Sequence, residues 1–200
     1  MSDVVRVTRR LKIEEIDAAY RLGVFPMAFP GKQLVTWHQP PRRAVLPLDG
    51  FHVSRSLERT LKLARFEVTF DRDFEGVMRA CGSNRDETWI SEEFVAVFGE
   101  LHRRGQAHSV EVWVDGQLAG GTYGVHLGGA FFAESKFHRV RDMSKVALAH
   151  LVFKLRERGF GLLDVQYVTP HLEQFGVIEI SHKEYRRQLD AALDLECAFP

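Results

Sequence analysis

Two side chains able to hold or polarise a reacting group stand two residues apart in an apolar run, Leu162-Leu163-Asp164-Val165-Gln166-Tyr167. In extended chain Asp164 and Gln166 point to one face, and Leu163 and Val165 to the other. A carboxylate in such a run must find a partner or water, because burying it bare is costly. Two readings stay open for the pair: a hydrogen-bonded structural element, or a polar couple that orients a substrate. A third group, Glu134, lies in Phe131-Phe132-Ala133-Glu134-Ser135. It is either a surface carboxylate at a sheet end or a part of the same chemistry. Other catalytic patterns are missing. The nine His show no HxxxH spacing, Cys81 and Cys197 form no CxxC pair, and no GxSxG is present, so neither a metal site nor a Ser or Cys nucleophile is expected.

The elements that must carry these groups are readable from periodicity. Ile13, Ile16 and Tyr20 recur at helical spacing and Gly23 ends the run. A Pro/Gly-rich loop is expected from Val24 to Gly31, followed by extended segments at Leu34–Trp37 and Ala44–Leu46. Leu57, Leu61 and Ala64 mark a helix, and Phe66–Phe70 alternates as a strand. Phe74 to Cys81 and Phe94 to Leu101 form two helical stripes, the second capped by Ser91. A meander follows: His108–Val114, the hairpin signal Asp115-Gly116, Gln117–Leu127, then Ala130–Ser135 after Gly128-Gly129. A long helix from about Ser144 closes at Gly159. The Asp164 strand comes next, then a short helix at His171–Phe175, a strand at Val177–Ile180 and an amphipathic helix from about Lys183. That order predicts an α+β protein with a GNAT-like (acyl-CoA N-acyltransferase-type) domain over 63–200 and a small N-terminal α+β domain over 1–62.

Composition agrees with a globular protein: 45% of the 200 residues are hydrophobic, enough for a sizeable core. Lys+Arg and Asp+Glu are 27 each, so any nucleic-acid contact must rest on a local patch. No run approaches the ~20 apolar residues of a membrane span, and Met1 to Arg6 lacks the apolar stretch of a signal peptide. A soluble, cytoplasmic monomer with reduced thiols is expected.

Several segments together resemble the bacterial leucyl/phenylalanyl-tRNA–protein transferases. They are Ala19 to Pro26, Trp37 through Arg43 to Leu46, His52 to Leu57, Thr88-Trp89-Ile90, Leu101-His102 and His108 to Trp113. Further on come Gly120 to Val125, Phe131 to Phe137, Ser144-Lys145, Asp164-Val165-Gln166 and His171-Leu172. The resemblance spans residues 18–190 in one order. It implies transfer of Leu, Phe or Met from an aminoacyl-tRNA to the N-terminal Arg or Lys of a protein, which marks that protein for degradation. It implies no metal or organic cofactor. Asp164 and Gln166 would orient the acceptor amine, with Gln too weakly basic to deprotonate it. Glu134 would lie near the donor's reactive end. Phe131, Leu163, Trp89, Met27, Thr122 and Lys136 would line the substrate region, with the Trp89 indole able to stack on a base. Among a basic group formed by Arg42, Arg43, Arg55, Arg59, Lys62 and Arg65, the residues Arg42, Arg43 and Arg55 would meet tRNA phosphates. Lys145, in the first turn of the long helix, would do the same.

Three substrate positions depart from the family pattern: Met27 replaces Trp, Thr122 an apolar residue, and Lys136 a Met. His138 also replaces a usual Ser, and the Gly-rich segment that usually precedes the first helix is missing. Lys136 shares alternating parity with Glu134, which puts the two on one strand face. Lys136 then either pairs or reaches water, or makes the donor pocket polar and shifts it from Leu or Phe toward a polar or acidic amino acid. Two rivals remain. An acyl-CoA N-acetyltransferase would need a Gly-rich turn where His138 to Lys145 has no Gly. A non-catalytic RNA-binding relic would not need Asp164, Gln166 and Glu134 intact.

Overall fold

The computed structural model describes residues 3–29, 32–83 and 88–199. Pro30 and Gly31 of the expected loop lie outside the described residues. The chain runs β1 (Val4–Thr8), α1 (Ile13–Arg21), β2 (Phe25–Ala28), β3 (Val35–His38), β4 (Arg42–Val45), α2 (Arg55–Leu63), β5 (Glu67–Phe70), α3 (Phe74–Ser83) and α4 (Glu92–Arg103). It continues with β6 (Ala107–Val114), β7 (Gln117–Leu127), β8 (Ala130–His138), α5 (Met143–Glu157), β9 (Leu162–Gln166), α6 (Pro170–Glu173), β10 (Ile178–Ser181) and α7 (His182–Leu193).

A seven-stranded sheet has the order β10-β4-β9-β8-β7-β6-β5. The antiparallel β6–β8 meander, the α5 crossover and the parallel β8/β9 pair give the expected GNAT-like order. One face of the sheet buries Phe74, Val77, Phe94, Phe98, Tyr20 and Leu189 from α1, α3, α4 and α7. The other buries Val146, Ala147, Leu151 and Val152 of α5 with Leu57 of α2. With both faces covered, β6 to β9 are buried along most of their length.

A second sheet, order β1-β3-β2, was only partly foreseen. β2 falls where a loop was expected, because Pro26 argues against a strand. Proline is tolerated there because β2 is an edge. The expected domain boundary near Lys62 falls in the last turn of α2. Ahead of it, β4 already pairs with both β9 and β10, so the chain before Lys62 contributes to both sheets.

β4 is fastened to β9 by an ion pair as well as by its ladder. Arg43 is 2% exposed, and its Nε and Nη2 donate to Asp164 at 2.8–3.0 Å. Its Nη1 donates to the carbonyl of Gly23 at 3.0 Å, which ties in the end of α1. Gly23 has φ +73, and a Cβ there would lie 2.6 Å from the Tyr185 ring. Gly23→Ala therefore meets both left-handed strain and a clash, and loses about 2 kcal/mol or more of stability. Arg43→Met leaves Asp164 buried without its counter-charge and loses about 3–5 kcal/mol. Urea unfolding monitored by tryptophan fluorescence measures both. A wild-type midpoint for Arg43→Met would refute this account of the β4–β9 junction.

Candidate active site

β8 and β9 stay paired for three positions, Ala130 with Leu162, Phe131 with Leu163 and Phe132 with Asp164. Beyond them a cavity of about 200 Å³ opens. Its polar wall is Thr122, Glu134, Ser135, Lys136 and Gln166, and its apolar wall includes Phe25, Met27, Trp89, Leu148, Val165 and Leu172.

Glu134 owes its position to a β-bulge. Tyr123 faces Ser135 across the ladder while the next residue, Gly124, faces Ala133, so Glu134 is the inserted residue. Gly124 permits the close approach, since a Cβ there would stand 2.2 Å from the Phe132 carbonyl oxygen. The bulge switches the alternation. Phe132 and Phe137, five apart, both enter the same core. The parity expected between Glu134 and Lys136 is therefore broken. Lys136 sits opposite Thr122 and takes the α5 side of the sheet, while Glu134 turns toward Tyr20.

Glu134 Oε1 accepts from Tyr20 Oη at 2.6 Å and from Gln166 Nε2 at 3.2 Å. Burial pushes its carboxyl up to about 8, and the nearby Asp164 charge adds to the rise. The Tyr20 hydrogen bond, Arg43 and Gln166 act in the other direction. Burial also raises the Tyr20 phenol well above its ordinary value, with Glu134 adding to it.

Gln166 ends β9 in the left-handed region, φ +60, which is costly for a residue with a side chain. Its backbone N–H donates to Asp164 Oδ1 at 2.8 Å, which holds that turn. Tyr185 Oη donates to Asp164 Oδ2 at 2.6 Å. With Arg43, these donors engage both Asp164 oxygens, and the residue is 0% exposed.

Of the residues singled out in sequence, Glu134, Gln166, Trp89, Thr122, Lys136 and Met27 meet around one cavity. Asp164 is 0% exposed, does not line the cavity and is joined to it through the Gln166 backbone N–H. Arg43 does not face phosphate; a carboxylate occupies its fork. Phe131 and Leu163 are core residues on the α5 side. Phe131 stacks on Phe199 at 5.4 Å, and neither lines the cavity. Arg42 is exposed and paired with Glu179 at 2.6 Å, and Arg55 is exposed in the first turn of α2. Lys145 is half-buried beside Asp142 at 2.9 Å. Sequence reasoning missed Tyr20 and Tyr185, whose apolar bodies fit helical core stripes and whose hydroxyls carry no periodic signal. It also missed that Asp71, His102 and His108 converge. These are joined by hydrogen bonds: His108 to Asp71 at 2.7 Å and to His126 at 3.0 Å, and His102 to the Ala107 carbonyl at 2.8 Å.

The family model described as leucyl/phenylalanyl-tRNA protein transferase matches residues 45–190. The leucyl/phenylalanyl-tRNA–protein transferase of Chlorobaculum tepidum is 52% identical over 192 residues, covering 94% of this chain and 99% of that protein. That of Rubrobacter xylanophilus is 54% identical over 196 residues, covering 98% and 100%. Among solved structures, a ribosomal-protein-alanine N-acetyltransferase from Brucella melitensis aligns at 17% identity and a TM-score of 0.40, covering 55% of this chain and 85% of that one. Identity near one half, sustained over the length of both chains, leaves one assignment: this protein belongs to the leucyl/phenylalanyl-tRNA protein transferase family.

Proposed function

We propose that the protein transfers Leu or Phe, and by family also Met, from aminoacyl-tRNA to the N-terminal Arg or Lys of an acceptor protein, marking it for degradation in the cytoplasm. The observation that carries this reading is the cavity between β8 and β9 with Glu134 and Gln166 on one wall and apolar side chains on the other. An activated ester needs a neutral amine held against it more than it needs a strong catalyst.

The acceptor enters as an ammonium ion. An α-amino group has a pKa near 8 in general, and the Glu134 carboxyl stands at about 8. Proton transfer between them is close to balanced, the condition under which a base works best at its operating pH. In the minority of molecules in which Glu134 is ionised at neutral pH, its carboxylate takes one proton from the ammonium, whose nitrogen gains a lone pair. The Gln166 side-chain carbonyl, positioned by its amide's bond to Glu134, accepts from the amine and aims it. The nitrogen then attacks the ester carbonyl carbon, the C–N bond forms and the C–O bond to the terminal ribose breaks. The ribose oxygen leaves with that electron pair and takes the second proton shed by nitrogen. Arg43, Asp164 and Tyr185 act as positioning residues, holding the Gln166 turn. Leu148, Leu172 and Val165 offer apolar surface for the donor side chain.

Purified protein should transfer radiolabelled Leu or Phe from charged tRNA to a peptide beginning with Arg. Inertness toward both donors would sink the reading. Glu134→Gln lowers kcat by roughly 10²-fold, the scale of lost acid–base assistance, with a smaller change in KM. The stability of the free protein gives an independent check. Glu134 keeps its proton in the folded state from its ordinary 4.5 up to about 8. The folded form thus binds more protons than the unfolded form in that window, and stability falls as pH rises through it, levelling above it. Urea midpoints between pH 5 and 9 should show that decline in the wild type and a flatter profile in Glu134→Gln. An unchanged slope would argue against a raised Glu134.

A further inference from the structure

Tyr167 follows Gln166 and lines the same cavity. Its ring is 37% exposed and makes a T-shaped contact with Phe25 at 5.8 Å. Its hydroxyl donates to Asp3 Oδ2 at 3.1 Å. Burial, with the Asp3 hydrogen bond next, pushes the phenol up to about 12, so it stays a donor at neutral pH. Asp3 is held in place by its own backbone, whose carbonyl accepts from the Gln39 N–H at 2.8 Å just past β3. Asp3 is half-buried, and its Oδ1 accepts no hydrogen bond among the described residues. The arginines that follow on β1 and β4 are committed elsewhere: Arg6 to Glu15, Arg42 to Glu179 and Arg43 to Asp164. Burial lowers the pKa of His38, on which Asp3 acts in the other direction, so that ring brings no positive charge at neutral pH. The carboxylates nearer the reacting groups are already engaged. Asp164 is held by Arg43, Asp142 by Lys145 at 2.9 Å, and Glu134 is mostly protonated.

We infer that Asp3 selects the acceptor's N-terminal Arg or Lys, whose side chain lies along the Tyr167 ring and ends at the Asp3 carboxylate. This rests on the transferase reading, which puts the acceptor amine beside Glu134 and Gln166. An Arg or Lys side chain is about as long as a tyrosine. One that starts beside Gln166 and runs along Tyr167 therefore ends where the phenol ends. An aromatic face and a carboxylate both attract a cation, and together they select charge as well as length. The Tyr167 hydroxyl takes one Asp3 oxygen and leaves the other to the ligand.

The test follows transfer of radiolabelled Phe from charged tRNA to two peptides that differ only in the first residue, Arg or its neutral isostere citrulline. Wild-type protein should show a KM for the Arg peptide about tenfold lower, the difference shrinking as salt rises. Asp3→Asn should remove most of that preference by raising the Arg-peptide KM. Its kcat and its KM for charged tRNA should stay close to wild type, a split that general damage to the fold would not give. Asp3→Glu should keep the preference and Asp3→Lys should invert it. Glu173, beside Leu172 on the α6 flank of the cavity, is the control, and Glu173→Gln should behave as wild type. A wild-type enzyme that transfers equally well to both peptides would overturn the assignment alone. So would an Asp3→Asn variant that keeps the preference, or a Glu173→Gln variant that loses it. Absence of transfer from the wild type to either peptide would overturn the assignment and the transferase reading together.

Discussion

The site depends on one buried ion pair. Arg43 and Asp164 are both withdrawn from water, and withdrawing two such ions costs several kcal/mol each before they meet. The cost is offset only where nearly every polar atom is engaged, and here that holds. Asp164 accepts from the Arg43 fork, the Tyr185 hydroxyl and the Gln166 backbone. The Arg43 guanidinium lies over the Phe25 ring at 4.5 Å and the Tyr185 ring at 4.8 Å, a stacking that an ammonium could not match. Strand β4, the end of α1, helix α7 and the last turn of β9 are thereby fixed to one point. The strained Gln166 backbone is a product of the same point, since its N–H is one of the donors that Asp164 requires.

This pairing also sets the chemistry of Glu134. A free guanidinium nearby would pull its carboxyl down and fix it as a permanent anion. Arg43 is instead neutralised by Asp164, and the Asp164 charge repels a second anion. What remains is desolvation, relieved in part by Tyr20 and Gln166. Glu134 is therefore mostly protonated at neutral pH, with an ionised fraction that grows as pH approaches the pKa of an α-amine. A structural ion pair beneath the cavity and a titrating carboxyl on its wall are one electrostatic arrangement, and neither can be altered alone.

Much of this was legible in the sequence. Period-two and helical stripes located α1 to α5 and the β6–β8 meander, because local pattern and burial agree there. The parity of Asp164 and Gln166 followed from the same alternation, and the place of Glu134 at the cavity from the family's motifs. The failures have physical causes. Arg43 looked like its neighbours Arg42 and Arg55, since the partner that buries it is 121 positions away. The resemblance puts Phe131 and Leu163 in the substrate region, but alternation turns them to the α5 core. β2 was hidden by Pro26, which a central strand would reject and an edge accepts.

The bulge shows how one inserted residue changes what a motif means. Read as an ideal strand, Glu134-Ser135-Lys136 puts carboxylate and ammonium on one face, and a Lys in an apolar donor pocket then demands a different substrate. With Glu134 as the extra residue, carboxylate and ammonium diverge. Lys136 takes the α5 side opposite Thr122, while the Glu134 carboxyl keeps Tyr20 and Gln166 on the other side. The step from motif to pocket therefore runs through the register of the neighbouring strand, where Gly124 makes room for the extra residue, and not through the alternation of the motif itself.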